Sequence, residues 1–448
     1  MKIAISITTH NRYEVFKETY DNIIKFLPEG ASLIIIDDAS YIPVQEATFR
    51  FEENAGIAKS KNMAFELMGD ADYYFCFDDD CYPKVKNWHL PYIDSGLNHA
   101  MMIFPTLASG EATGNRLFKT VGNLRYFNHP CGCMLFFTKK CLEVVGGMNE
   151  VYGVWGFDHP DLSMRIFNNG LTPHPFLDVQ NSLSLFHSHD YYQTCKRSVD
   201  ASVRKKMVKK NTPIYELNKK SKEFIPYKPM TGRIITTYFT GVIDPQIGIT
   251  REFDPLSIFN LEKSLHEKDV PLTIIGNFVK NDAPRFVRDE CLINPYLQRW
   301  VSILEYFKEV KEDYVFCVDA TDVEMLKNPF KENLGNYLWV GDEPSTINNE
   351  WLLKHHKEPL FESFFKTHKN NPLLNAGVIG GRKCVVEAFL TRLVWYIQNY
   401  EINFTDMALF NYVLYTEFSE QVRHGRKVTT VFKAYDTVNK HNSWWKHK

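Results

Sequence analysis

An acidic cluster closes an apolar run in each half of this 448-residue chain. The first runs Tyr73-Tyr74-Phe75-Cys76-Phe77 into Asp78-Asp79-Asp80. The second runs Tyr314-Val315-Phe316-Cys317-Val318 into Asp319-Ala320-Thr321-Asp322. Such a run is a buried strand, and carboxylates at its C-terminal end face the crevice where open α/β sheets bind ligands. Carboxylates this close repel one another unless a divalent cation sits between them. Hard oxygen ligands suit magnesium or manganese, and a metal held there can grip a diphosphate.

The elements that must position these clusters belong to more than one core, because the chain is too long for a single ordinary one and predicts two or three domains. Hydrophobic content of 44% and charged content of 24% are ordinary for a globular protein. A net charge of −2 argues against a globally basic nucleic-acid binder and leaves a local basic patch open. The N-terminus turns polar after Ile7, too soon for a signal-peptide core, and no apolar run has membrane-spanning length. The nine cysteines are scattered, with Cys76 and Cys317 in apolar surroundings. They predict reduced core residues in a soluble, cytoplasmic protein. Cys131-Gly132-Cys133 lacks the second pair of a structural zinc site.

The first half alternates strands and helices. Strands are expected over 3–8, 32–36 and 72–77, with helices over 13–26 and 54–67. Val15, Tyr20, Ile23 and Ile24 are spaced for one broad helix face. This β-α-β order implies a mostly parallel sheet with right-handed crossovers. Its strand ends converge on Thr8, Asp38 and Asp78, and three hydroxyl or acidic ends in order point to a nucleotide site.

Four segments resemble, in order, the motifs of glycosyltransferase family two, which has the GT-A fold and uses nucleotide-diphosphate sugars. They are Thr8-Thr9-His10-Asn11-Arg12, Ile34-Ile35-Ile36-Asp37-Asp38-Ala39-Ser40, Asn54 through Asn62, and Phe77-Asp78-Asp79-Asp80. The resemblance implies that Thr8, Asn11, Arg12, Asp38, Asp78 and Asp79 bind the nucleotide sugar, with Asp38 on the base. It implies Asp80 as metal ligand in a DxD-type motif, and Lys61 and Asn62 near the nucleotide. Lys61 stands where the family usually has Arg, and Ser60 where it has Ala. The donor implied is a UDP-sugar, with Mn²⁺ or Mg²⁺.

Trp155-Gly156-Phe157-Asp158-His159-Pro160-Asp161-Leu162-Ser163-Met164-Arg165 is similar to the family's W-G-x-E-D-x-D-L-x-x-R signature, whose second acid is the general base. Here Asp158 takes the Glu position and His159 the base position. Either could reach the acceptor hydroxyl, and an imidazole, titrating near ~6.5, suits work near neutrality. Many GT-A enzymes supply a late His to the metal, so the resemblance implies His187 or His189 as a further ligand, with His187 preferred. Gly132 and Cys133 precede a strand expected to line the acceptor side, where small residues would let a sugar approach.

Residues 196–222 carry Lys196, Arg197, Arg204, Lys205, Lys206, Lys209, Lys210, Lys219, Lys220 and Lys222 against Asp200 and Glu216. Val199, Val203 and Met207 are spaced to dock one side of a helix. The segment is either a solvated connecting helix or a patch for the phosphates of DNA or a polyanionic glycan. Pro226, Pro229 and Gly232 then mark a linker.

The second half restarts the pattern and looks like a second, more divergent GT-A domain. The resemblance implies Asp319 and Asp322 as metal ligands in a loose D-x-x-D. The Asn375-Ala376-Gly377-Val378 run is similar to a sugar-contacting loop, giving Asn375 and Gly377 to the nucleotide sugar. Asp406, at the start of a helix, resembles an acid that contacts acceptor or donor. Asp244-Pro245-Gln246 falls where a nucleotide loop is expected. The tail Val438 through Lys448 could close His441 and Lys446 over a diphosphate, or its Trp444-Trp445 pair could dock on the core.

The sequence thus predicts two GT-A α/β domains in tandem: 1–195, a basic helical linker over 196–231, and 232–448. The expected protein is a bifunctional hexosyl- or pentosyltransferase, inverting in its first domain, adding successive sugars to a glycan. A phage-type enzyme acting on hydroxymethylated pyrimidine in DNA is the alternative acceptor reading. A carbohydrate-binding scaffold built from inactive GT-A domains is the alternative of another class.

Overall fold

A computed structural model describes residues 1–448 except 197–198, 251, 279–285, 434–441 and 448. Contacts divide the chain into two compact units, Met1–Pro229 and Met230–Lys448.

The first unit is built on a six-stranded sheet in the order Phe49–Arg50, Ser32–Asp37, Ile3–Thr9, Tyr73–Asp78, Met134–Thr138, His99–Met101. The first four strands run parallel, and Met134–Thr138 joins antiparallel to its neighbours. Ile3–Thr9 is buried along its whole length, as a central parallel strand covered on both faces must be. Alternate residues feed opposite faces: Phe75 and Phe77 pack with Ile5 and Trp88, while Tyr74 and Cys76 pack with Ala4 and Phe65. In-register pairing of Thr8 with Asp78, and of Thr9 with Asp37, brings the polar strand ends to one edge.

The second unit repeats this order in a seven-stranded sheet: Phe286–Arg288, Leu272–Gly276, Gly232–Thr237, Tyr314–Val318, Pro372–Arg382, Leu338–Thr346, Val422–His424. Its first four strands are parallel, and Pro372–Arg382 is antiparallel to both neighbours. Cys317 lies in one core layer with Ile235 and Val315, and Phe316 in the other with Ile234 and Tyr314. Each unit is therefore an α/β domain with a parallel core and an antiparallel flank. All nine cysteines are free. Among the described residues no helix is long and apolar enough to cross a membrane.

Three expectations are corrected. The helix Tyr13–Lys25 buries Phe16, Thr19 and Ile23 and exposes Ile24. On that inner face the Thr19 hydroxyl donates to the Asp79 carbonyl at 2.6 Å. The basic segment 196–231, expected as a helical linker, is helical over Ala201–Asn218 as expected but falls within the first unit. Its docking residue is the fully buried Asn211, whose amide donates to the carbonyls of Tyr152 and Trp155 at 2.8 and 3.1 Å. Tyr215 stacks on Phe157, and Lys205, Lys206, Lys209 and Lys210 face solvent. The Asn375–Gly377 run, expected as a loop, lies inside the strand Pro372–Arg382.

Asn211→Ala should therefore lower first-unit stability by about 1–3 kcal/mol, the scale for buried groups stripped of a partner. Urea unfolding measures the loss, and limited proteolysis should open the chain near 201–218. Unchanged unfolding and cleavage would show that the helix is not held there.

Candidate functional site

In the first unit a cavity of about 1000 Å³ opens at the polar strand ends. Thr8, Asp38, Asp78, Asp79 and Asp80 line it together with Asp158 and His159, and Arg12 reaches into it. The carboxylates are tied down individually. Asp38 accepts from the backbone N–H groups of Ala55 and Gly56, at 2.6 and 2.9 Å. The fully buried Lys61 donates to Asp78 at 2.7 Å. Burial alone would lower the Lys61 ammonium, but Asp78, with Cys76 and Asp158, outweighs it and holds it above the ordinary value. Burial likewise pushes Asp78 upward, and Lys61, then His159, reverse this and keep it below the usual carboxylate range. Arg12 pairs with Asp79 and lies 3.1 Å from Asp80. Burial, reinforced by the charge of Asp79, still drives Asp80 up to about 7. Asp190, which the sequence did not single out, lines the same cavity and adds to that rise.

Asp158 begins the helix Asp158–Asn168 after Phe157, whose φ of 72° is left-handed. One Asp158 oxygen accepts from Gly156 N at 3.1 Å, and the other lies 3.3 Å from His159 Nε2. That nitrogen is buried and has no hydrogen-bond partner. The helix is anchored from below: fully buried Arg165 binds Asp161 and donates to the carbonyls of Val145 and Gly147. A Cβ at Gly132 would collide with the His159 ring. The small residue expected to admit a sugar thus seats the imidazole instead.

The other expected site residues make contacts within the protein. Asn62 does not line the cavity. Its amide holds the backbone of Met148 in both directions, at 2.7 and 3.0 Å. Asn11, with φ of 57°, accepts from Tyr41 N and shapes the turn beside the cavity. His187 is sandwiched between the rings of Tyr82 and Tyr192, each 4.7 Å away, and does not line the cavity. His189 lies 3.3 Å from Glu18 and bonds Thr194.

The second unit holds a cavity of about 580 Å³ at the matching strand ends. Asp319, Asp322, Asn375, Gly377 and Asp406 all line it, with Asp244 and Gln246 from the expected nucleotide loop. Arg299, on the helix Pro295–Tyr306, ties Asp319 Oδ1 at 2.5 Å and pairs with Asp406. Trp300 Nε1 also donates to Asp406 Oδ2 at 2.6 Å, so that oxygen is occupied by protein donors. Asn375 accepts from Gly377 N at 2.7 Å and donates to Glu343 at 3.1 Å. Burial raises Glu343, which the sequence did not single out.

The strand Trp445–His447 pairs antiparallel with Val323–Met325. Alternation along it sends His447 into the cavity and Lys446 to Glu324, 3.3 Å away. His447, not Lys446, is thus the tail residue at the site. His441 lies outside the described residues. Trp444 and Trp445 are buried in the core. Asp319, Asp322 and His447 are the one set of His, Cys, Asp or Glu side chains among the described residues offering ligand atoms all within 4.8 Å of one another. Asp322 Oδ1 is buried without a hydrogen-bond partner. A Cβ at Gly377 would meet both the His447 ring and Asp319 Oδ2. An orphaned oxygen and a cradle only glycine leaves open fit a divalent cation with mixed oxygen and imidazole ligands.

No family model matches the chain. It is similar to an uncharacterized glycosyltransferase of Acanthamoeba polyphaga mimivirus, 28% identical over 218 residues, which cover 42% of this chain and 82% of the relative. Among solved structures it is similar to GalNAc-T7 with UDP, GalNAc and Mn²⁺ (16% identity, TM-score 0.32, 40% of this chain and 42% of that one). It is similar also to the mannosyltransferase PcManGT of Pyrobaculum calidifontis with GDP-Man and Mn²⁺ (17%, 0.29, 39% and 55%). A third is S. aureus TarS (12%, 0.34, 48% and 43%). The chain spans about half or less of the length of these solved proteins.

Gly377→Ala should weaken Mn²⁺ binding by about 10–100-fold, the scale for disturbing the support of metal ligands. Isothermal titration measures it. Undiminished affinity would mean that the cation does not sit between Asp319 and His447.

Proposed function

We propose that the chain is a metal-dependent glycosyltransferase with a nucleotide-sugar site in each unit, joining two successive sugars to a glycan. The observation that carries this is convergence in the first unit. Thr8, Asp38, Asp78 and the Asp158–His159 pair are distant in sequence and line one cavity at the strand ends. The same topology and an acid-lined cavity recur in the second unit. The similarity to the mimivirus glycosyltransferase supports the same class. UDP-sugars are the first donors to test.

In the first unit the acceptor hydroxyl gives its proton to Asp158 or His159. Its oxygen forms a bond to C1 as the bond from C1 to the diphosphate oxygen breaks, and the nucleoside diphosphate leaves with that electron pair. Attack from the face opposite the leaving group inverts C1. Asp158 lies 3.3 Å from His159 Nε2, so one member can orient the other and stabilise its charge after proton transfer. Lys61 keeps Asp78 ionised, ready to accept from a ribose hydroxyl. In the second unit, a divalent ion on Asp319, Asp322 and His447 would take up charge on the departing diphosphate. Arg299 fixes Asp319 and Asp406 in place.

A DNA or other polyanionic acceptor is a second reading. It is favoured by the solvent-facing Lys205, Lys206, Lys209 and Lys210, on a helix whose Val203 and Arg204 line the first cavity. Acceptor affinity that falls steeply with salt selects it.

The test is a panel of nucleotide sugars against glycan and hydroxymethylated-DNA acceptors, with products read by mass spectrometry. Asp158→Asn or His159→Ala should cut first-unit turnover by about a hundredfold or more while donor affinity holds. Normal turnover in both variants would make the pair structural. Asp322→Ala should stop the other transfer alone. If it changes no product, the second unit is an accessory, and if no donor is cleaved by the wild type, the chain is a binder.

A further inference from the structure

We propose that Arg12 is the resident cation of the first unit's acidic cluster, so that a divalent ion offered without nucleotide occupies only the second unit. The inference takes its meaning from the two-site reading above, but its test uses neither donor nor acceptor.

In the first unit the positions a cation would take are already held. The Arg12 guanidinium contacts Asp79 and Asp80 together, and its side chain is only 13% exposed. Asp79 also accepts from Thr9 Oγ1 at 2.7 Å. Asp78 is bound to Lys61. Among the described residues no imidazole completes a ligand set with these acids: His187 lies between two tyrosine rings, and His189 bonds Thr194 through Nδ1 while its Nε2 lies 3.3 Å from Glu18. The expected pairing of Asp80 with His187 therefore does not form. In the second unit an arginine also holds two acids, but ligand atoms remain beside it. Arg299 engages Asp319 through Oδ1. Asp322 Oδ1 is orphaned, and His447 Nε2 stands 3.7 Å from Asp322 Oδ2.

A cation enters the first unit only if the guanidinium leaves Asp79 and Asp80. The group best matched to draw it away is a diphosphate, since a planar guanidinium fork binds phosphate oxygens in pairs. The first unit would then take metal together with nucleotide, and the second unit before it.

Mn²⁺ titration of the full chain without nucleotide, followed by electron paramagnetic resonance, decides this. We expect one bound ion per chain, lost in Asp322→Ala and retained in Asp80→Ala. Arg12→Gln, leaving Asp79 and Asp80 without a counter-charge, should gain a second ion. Two ions on the wild type, or one ion that Asp80→Ala removes and Asp322→Ala keeps, overturns the proposal. So does an Arg12→Gln protein that melts like the wild type and still binds one ion. Should that variant fail to fold, the counts on the wild type and the two aspartate variants decide alone. A chain that binds one ion as described but transfers no sugar would refute the glycosyltransferase reading and leave this one standing.

Discussion

Carboxylates brought side by side at the ends of parallel strands repel one another and lose hydration, and both units are organised around relieving that strain. In the first, Lys61 reaches Asp78 from the helix Ile57–Met68, and Arg12 reaches Asp79 and Asp80 from the turn after Ile3–Thr9. In the second, Arg299 reaches Asp319 and Asp406 from Pro295–Tyr306. Each cation is carried by a segment that must dock on the sheet to deliver it. The pairing that makes the acidic edge tolerable thus also fixes where those segments sit.

The same requirement produces a division of labour between buried charge and open charge. Asp37, though adjacent to Asp38, is taken wholly by Ser40, Val44 and Arg50. Asp161 is likewise taken by Tyr152 and Arg165. These acids stiffen the loops. Asp38, Asp78, Asp158, Asp319 and Asp322 keep part of their surface in a cavity. Motif acids that look equivalent in the sequence are separated by which of them the backbone and arginines consume.

Much of this is legible in the sequence because it is local. An apolar run of strand length ending in acids places Asp78 and Asp319 at a sheet edge without further information. The β-α-β alternation gives the parallel core of each unit. What escapes depends on long-range partners. Lys61 and Asn62 sit in a motif that points to nucleotide contact, yet they face inward to Asp78 and Met148. Asn375 and Gly377 lie in a strand because Tyr314–Val318 and Leu338–Thr346 flank it, and no residue in the run announces those neighbours. His447 is within reach of the sequence, because its tail is rich in bases and aromatics. Strand alternation, visible only once Val323–Met325 is known as the partner, decides that His447 and not Lys446 faces the cavity.

That last pairing also sets an order in time. Glu324 and Lys446 are 122 positions apart, so the strand carrying His447 closes one of the longest loops in its unit. Everything lining the first cavity lies before residue 209. During synthesis the N-terminal sheet, its helices and its site can assemble while the ribosome is still making the second half, as domains commonly do. The second cavity cannot be finished until residue 447 has emerged. A nascent chain therefore matures its two sites in sequence, and one cut just short of Trp445 would retain most of both sheets while lacking the imidazole of the second.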